Sequence, residues 1–259
     1  NITFVDSGAV DLDSSASADG DLYINALADG AVSGDLSVIA NGNITQNVAL
    51  AVTGTTTLEA GSSNNITLGN TSNNFQGAVQ ITSGNNIVLV DAGAIDLGAS
   101  TVSGTYAVTA TSGGGITDSG VLAITNGATF TVAGGQSIIL DQSSTFSSTV
   151  TFTPSSGTIA AVTINDSNAF DIKALTLTGA LSVTAGGAIT ETGDLSIGGI
   201  TTLEAGSGNN ITLDRTGNNF QAAVQITSGD NVTLVDAGAI DLGASTVSGT
   251  YAVTATSGG

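Results

Sequence analysis

The sequence predicts an all-β fold, a right-handed parallel β-helix of about twelve coils of about 21 residues each, and three observations carry that prediction. The chain is written in strand and turn residues. A short apolar strand motif returns about every 21 residues, and a long segment repeats without gaps at an offset of 145.

Composition comes first because it excludes the alternatives. Of 259 residues, 36 are Gly and one is Pro (Pro154), and there is no Cys, Met, Trp or His. Val, Ile, Leu, Thr, Ser, Ala and Asn fill most of the rest. β-Branched residues suit a pleated, half-buried surface, and Gly, Asn, Asp and Ser supply its corners. Strong helix formers are scarce, and no apolar pattern keeps helical spacing for three turns. Hydrophobic residues make up 41% of the chain and mean hydropathy is +0.35, so the low complexity is compatible with a buried core. The apolar residues fall in twos and threes, and no run approaches the ~20 that a bilayer span needs.

The long repeat aligns Thr56–Gly114 with Thr201–Gly259, and the two differ at eight of 59 positions. Within it the form Asn-Ile-x-Leu recurs. Ile44, Ile66, Ile87 and Val108 stand 22, 21 and 21 residues apart, and Ile189, Ile211, Val232 and Val253 repeat the series. Ile2 and Leu22 extend it upstream, and Phe130, Val150 and Phe170 bridge the two copies, which makes one segment of a longer repetitive chain, residues 1–259. A coil of this length cannot bury its own apolar face, but coils stacked ~4.8 Å apart pair every strand with the next and close a continuous interior.

Each element follows from that stacking. In Asn210-Ile211-Thr212-Leu213 the period of two turns Ile211 and Leu213 inward and Thr212 outward, and Val224-Gln225-Ile226 and Val253-Thr254-Ala255 read likewise. Ser83-Gly84-Asn85 and Ser228-Gly229-Asp230 mark corners, where Gly and Asn tolerate positive φ. The doublets Asn64-Asn65, Asn85-Asn86 and Asn209-Asn210 recur at the coil spacing, so Asn64 and Asn85 are expected one above the other with stacked amides; Asn73-Asn74 and Asn218-Asn219 form a second set. Asn-x-Thr tripeptides such as Asn43-Ile44-Thr45 are strand entries rather than glycosylation sites. In the pairs Asp91 and Asp96, Asp236 and Asp241, and Asp6 and Asp11, the first Asp is expected to cap a turn and the second to face solvent from a strand.

Charge and side-chain inventory narrow the function. Against 21 acidic residues stand only Lys173 and Arg215, for a net charge of −19, a surface that repels nucleic acid and anionic lipid. With no His, no Cys and one Lys, most catalytic classes lack their groups, so no catalytic, cofactor-binding or metal-ligating residue is assigned and no cofactor is expected. Calcium is the one ion the acidity suggests; no EF-hand loop or Gly-Gly-x-Gly-x-Asp nonapeptide is present, and Asp11-Leu12-Asp13 and Asp19-Gly20-Asp21 come nearest. Lys173 and Arg215 are expected about two coils apart as solvated surface charges, and Phe75 and Phe220 in the core. Lack of cysteine fits export, and the opening Asn1-Ile2-Thr3-Phe4 carries no leader, which would then lie upstream or have been removed.

With segments such as Gly-Ala-Ile-Thr-Glu-Thr-Gly-Asp-Leu-Ser-Ile (187–197), Gly-Ile-Thr-Asp-Ser-Gly-Val-Leu-Ala-Ile (115–124) and Leu-Gly-Ala-Ser-Thr-Val-Ser-Gly (97–104), the chain resembles filamentous-haemagglutinin-like bacterial exoproteins and adhesins. That resemblance implies a right-handed β-helical shaft and an extracellular or cell-surface location; it carries over no functional residue. The expected function is a non-catalytic shaft segment of an adhesin or filament. Its expected partners are further repeats or other copies of the chain, end to end or laterally, and surface glycans or proteins of a host or neighbouring cell, with no nucleic acid and no membrane span. The competing expectation is a carbohydrate-binding or polysaccharide-degrading β-helix.

Overall fold

The computed structural model describes residues 1–8, 10–12 and 31–257. Among these residues there is no helix, and the strands stack into a β-solenoid of about ten turns. Leu22, which the sequence periodicity places in one further coil, lies outside the described residues. The longest sheet has thirteen strands, and its main path climbs from Ile2–Asp6 through Leu36–Ala40, Thr56–Glu59, Val79–Ser83, Ile95–Leu97 and Ile116–Asp118. It continues through Ile138–Phe146, Val162–Asp166, Leu181–Ala185 and Thr201–Glu204 to Val224–Ser228. Ten rungs at ~4.8 Å give a rod of about 48 Å.

Among the described residues every strand pairing is parallel and joins strands one coil apart, as in Ile2↔Leu36, Ile44↔Ile66 and Val162↔Leu181. Parallel strands cannot be closed by hairpins, so each coil must return through the other faces, which is why the corners recur with the strands. Inward positions are apolar and fully covered: Ile66, Leu68, Ile87, Leu89, Ile211, Leu213, Val224 and Ile226 are all buried, and Phe75 and Phe220 join them at 2% exposure. Tyr106, Phe130, Phe146 and Phe152 form an aromatic stretch of the interior, Phe130 meeting Tyr106 edge-on at 6.1 Å and stacking on Phe152 at 6.2 Å.

The register departs from the sequence reading at three steps. Ile87 pairs with Tyr106, and Val108 stands opposite Leu89. Likewise Val232 pairs with Tyr251, so that Val253 meets Leu234; Phe130 does lie on Val108, but Val150 lies on Ala128 rather than on Phe130. Tyr106 and Val108 point the same way from one strand, so a shift of two residues preserves the apolar face and alternation cannot distinguish the two registers. Ile2 also belongs to a different face from Ile44, whose lower partner is Val10.

The corners at Ser83-Gly84-Asn85 and Ser228-Gly229-Asp230 are present, but positive φ is not their cause. Positive φ among the described residues occurs at Gly34, Gly61, Gly113, Gly135, Gly157 and Gly206. Gly84 is needed for space instead, because a Cβ there would meet Ile87 Cδ1 at 2.5 Å.

The solenoid changes width along its length. On the second face the strands have three residues at Ile44–Gln46 and Ile66–Leu68, then five at Ile87–Asp91, Tyr106–Ala110, Ala128–Val132 and Val150–Pro154. They shorten to three at Phe170–Ile172, Ile189–Glu191 and Ile211–Leu213, and return to five at Val232–Asp236. At the shortening the sheet breaks: Val150–Pro154 ends a seven-stranded sheet, and Phe170–Ile172 begins a five-stranded one. Pro154 sits at this break. Ser155 donates down to Val132 O, and adjacent residues of a parallel strand bond to opposite sides, so Pro154 directs its missing N–H to the open side, where no ladder bond is lost.

Candidate functional site

Each widening of the solenoid leaves a joint, and Asn73 fills the first. It is wholly buried; its Oδ1 accepts from Leu50 N–H (2.9 Å) and Gln46 Nε2 (2.7 Å), and its Nδ2 donates to Gln46 Oε1 (2.8 Å), Val90 O (3.0 Å) and Leu68 O (3.3 Å). Asp91 completes the joint from above. Its Oδ1 takes Gly93 N–H at 2.6 Å, the turn cap expected from sequence, and its Oδ2 reaches down to Phe75 N–H, also at 2.6 Å. Asn218 and Asp236 repeat the arrangement in the second copy: Asn218 Oδ1 accepts from Leu195 N–H, and Asp236 takes Gly238 and Phe220 N–H. Burial pushes the Asp91 carboxyl above its usual range against those two backbone donors. Asp6 caps its own turn through Gly8 N–H. Asp96 is half-buried on a strand and accepts from Ser119 Oγ at 2.7 Å, while Asp241 is exposed.

Two further aspartates have the same character, and the sequence reading missed them. Asp166 is buried and caps Asn168 N–H while binding Phe146 N–H below; the Asp-x-Asn spacing was its only signal. Asp118 accepts from Asp141 and Gln142 N–H through Oδ1 and leaves Oδ2 buried without a partner. Burial is the main cause that raises the Asp118 carboxyl to about 6.

An amide ladder climbs the rod, but at the second Asn of each doublet rather than the first. Asn43 Oδ1 receives Asn65 N–H, Asn65 Oδ1 receives Asn86 N–H and Nδ2, and Asn86 Oδ1 receives Thr105 N–H. Asn210, Asn231 and Thr250 repeat it. Asn64 does lie below Asn85, through a main-chain bond from Asn85 N–H to Asn64 O, while its side chain closes its own turn onto Ala60 O. The reason is orientation: the residue next to the inward Ile points outward, where successive amides can meet.

Both cations stand on one corner of the upper half. Lys173 binds Asp171 Oδ2 (2.6 Å) and reaches Thr192 Oγ1 on the coil above (3.0 Å). Burial alone would raise Asp171, but hydrogen bonds from Lys173, Thr192 and Thr190 hold it below the usual carboxylate range. Arg215, one coil higher again, pairs with Asp194 at 2.6 Å. Each cation therefore has its own carboxylate, two coils apart as expected, and both pairs are partly exposed and screened.

Where the solenoid narrows, a cavity of about 420 Å³ opens between Phe146–Val150 below and Asp166, Asn168, Phe170, Asp171 and Lys173 above. Its Phe146 and Phe170 rings are buried at 3% and 4% exposure, so neither offers a face for stacking on a ligand. Among the described residues no three or more carboxylates gather as a metal ion would require. Of the acidic groups considered for calcium, Asp11 accepts from Asn47 Nδ2, and Asp13, Asp19 and Asp21 lie outside the described residues.

Compared with known sequences, the chain matches a family described as repeats of unknown function (DUF5649) over residues 1–82, 84–153, 159–227 and 229–259. The breaks at residues 83 and 228 are themselves 145 apart. No curated protein and no solved structure matches the chain.

Proposed function

Since this chain belongs to the family of repeats of unknown function (DUF5649), we propose that it serves as a structural shaft segment, non-catalytic, of an extracellular bacterial adhesin or filament. One observation carries the reading: successive coils are bonded to one another by parallel main-chain pairing over about ten turns, beneath an outward surface of Thr, Ser and acidic residues. Stiffness then accumulates coil by coil, and an added repeat lengthens the rod without posing a new folding problem. Further repeats or other copies of the chain are its natural neighbours, end to end or side by side, with surface glycans or proteins of another cell as distal partners. The resemblance of segments 97–104, 115–124 and 187–197 to filamentous-haemagglutinin-like shafts supports the cell-surface placement. The acidic surface supports solubility there, since like charges keep rods apart.

The cavity at the narrowing favours a second reading, carbohydrate binding or cleavage, because Asp166, Asp171, Asn168 and Lys173 bring polar groups to one groove. Two experiments separate them. Inserting one more 145-residue copy should lengthen the rod in electron micrographs by about 34 Å, seven rungs of ~4.8 Å. An unchanged length, or clear binding on a glycan array together with release of reducing sugar, overturns the structural reading.

A further inference from the structure

The two copies differ in charge at one corner, and that corner holds a buried carboxylate oxygen with no partner. Offset by 145, Gln46, Ala49, Gly69 and Asn70 of the first copy become Glu191, Asp194, Asp214 and Arg215 of the second. In the first copy Gln46 clasps the joint residue Asn73 with both ends of its amide. Oε1 accepts from Asn73 Nδ2 (2.8 Å) and Nε2 donates to Asn73 Oδ1 (2.7 Å) and Val48 O (2.6 Å).

In the second copy half of that clasp is preserved. Glu191 Oε1 accepts from Asn218 Nδ2 (2.7 Å) and Arg215 N–H (2.8 Å). Asn218 keeps the amide orientation of Asn73, since its Oδ1 takes Leu195 N–H as Asn73 Oδ1 takes Leu50 N–H. The other oxygen, Glu191 Oε2, is buried and has no hydrogen-bond partner. By the correspondence of the copies, the groups on that side are Asn218 Oδ1 and Gly193 O, both acceptors. Deprotonated, Oε2 has nothing to give them. Protonated, it is a donor on the same side as the Gln46 amide, able to satisfy one of the two.

We infer that Glu191 is a proton-dependent latch: with Oε2 protonated it restores the clasp that Gln46 makes permanently, and without that proton the corner beside Asn218 loosens. The Gln46 clasp, being neutral, is then itself indifferent to pH, whereas the Glu191 clasp is firm in acid and slackens as pH rises, one responsive clasp in each 145-residue period that carries the Glu. Other charges act on the latch from every side. Asp214 and Arg215 stand on the coil above, Asp194 on its own coil pairs with Arg215, and Asp171 with Lys173 stands on the coil below. Burial is the largest influence and raises the Glu191 carboxyl, with Asp214 adding to it and Asn218 and Arg215 opposing. A carboxyl raised by folding contributes stability that is present below its unfolded pKa and is lost as pH climbs through the folded one.

Hydrogen exchange at two amides that report on the corner, Leu195 and Arg215, tests the latch. Protection factors of the wild-type chain and Glu191→Gln, compared at the same pH so that the other carboxylates cancel, should agree near pH 4. At pH 8 the Gln variant should be protected roughly tenfold more, the effect of supplying one donor to a buried acceptor. The reciprocal Gln46→Glu should transfer the pH dependence to the Leu50 and Asn70 amides. Equal protection at both pH values overturns the inference. Carboxyl carbon-13 NMR of the wild type decides independently of any variant's folding: Glu191 must titrate above the ordinary glutamate range, and a midpoint at or below it refutes the latch.

Discussion

Replacing Asn73 by Ala probes the joint on which the first widening of the solenoid depends. The side chain is fully buried and takes part in five hydrogen bonds with four residues, three of them on other coils. Alanine leaves Leu50 N–H, itself on a buried residue, without its acceptor, and deprives Val90 O and Leu68 O of a donor. The Gln46 amide, half-buried, can turn partly to solvent and recovers some of its loss. An unmet buried polar group costs about 1–3 kcal/mol, so one donor and two carbonyls amount to about 4 kcal/mol once relaxation is allowed. Urea denaturation should show that loss, with hydrogen exchange at Leu50 and Phe75 accelerating before amides several coils away, because a solenoid opens locally. Asn73→Asp should also be destabilising, since a carboxylate cannot donate to Val90 O. A loss for Asn73→Ala below about 1 kcal/mol, or equal acceleration along the whole rod, would refute the role assigned to the joint.

Other expectations follow from the same geometry. Gly114→Ala places a Cβ 2.1 Å from Ala94 N, against main chain that cannot yield, and should cost about 3 kcal/mol or more in chemical denaturation. Its neighbour Gly113→Ala meets nothing within 4 Å, and only its positive φ of 65° opposes it, for a cost of about 1 kcal/mol. Phe130→Ala removes the centre of the aromatic stretch and should cost about 4 kcal/mol, whereas the adjacent outward Thr129→Ala should change stability by less than about 0.5 kcal/mol. Asp118 is raised to about 6, so its stabilising contribution is complete below its unfolded value and fades as pH rises through that point. Asp118→Asn should therefore raise Tm at pH 8 and lose that advantage at pH 4; an advantage equal at both pH values contradicts the assignment.

The repeat made the architecture legible: Ile44, Ile66 and Ile87 stand one above another, and Lys173 and Arg215 fall two coils apart. Alternation defines a face but leaves register open by two residues, and for that reason Tyr106 rather than Val108 meets Ile87. The joints were hidden for a different reason. Asn73 and Asp91 act where strand length on one face changes from three residues to five, and no local pattern announces a change of cross-section whose partners lie on other coils. Gly84 was legible as a corner but not as a space requirement, because the atom it must avoid, Ile87 Cδ1, is positioned by the stacked fold. The lone proline likewise acquires its meaning from the open edge above Val150–Pro154.

The stacking itself is open to a direct distance measurement. Thr117, Ile139, Thr163, Ser182, Thr202 and Gln225 are successive register partners in the longest sheet, five rungs from first to last. The chain lacks cysteine, so spin labels on Thr117→Cys and Gln225→Cys report this pair alone. Pulsed electron spin resonance should give one narrow distance near ~24 Å, five steps of ~4.8 Å, although the two positions are 108 residues apart in sequence. A broad distribution, or a distance beyond about twice that value, would mean that the coils are not stacked in parallel register.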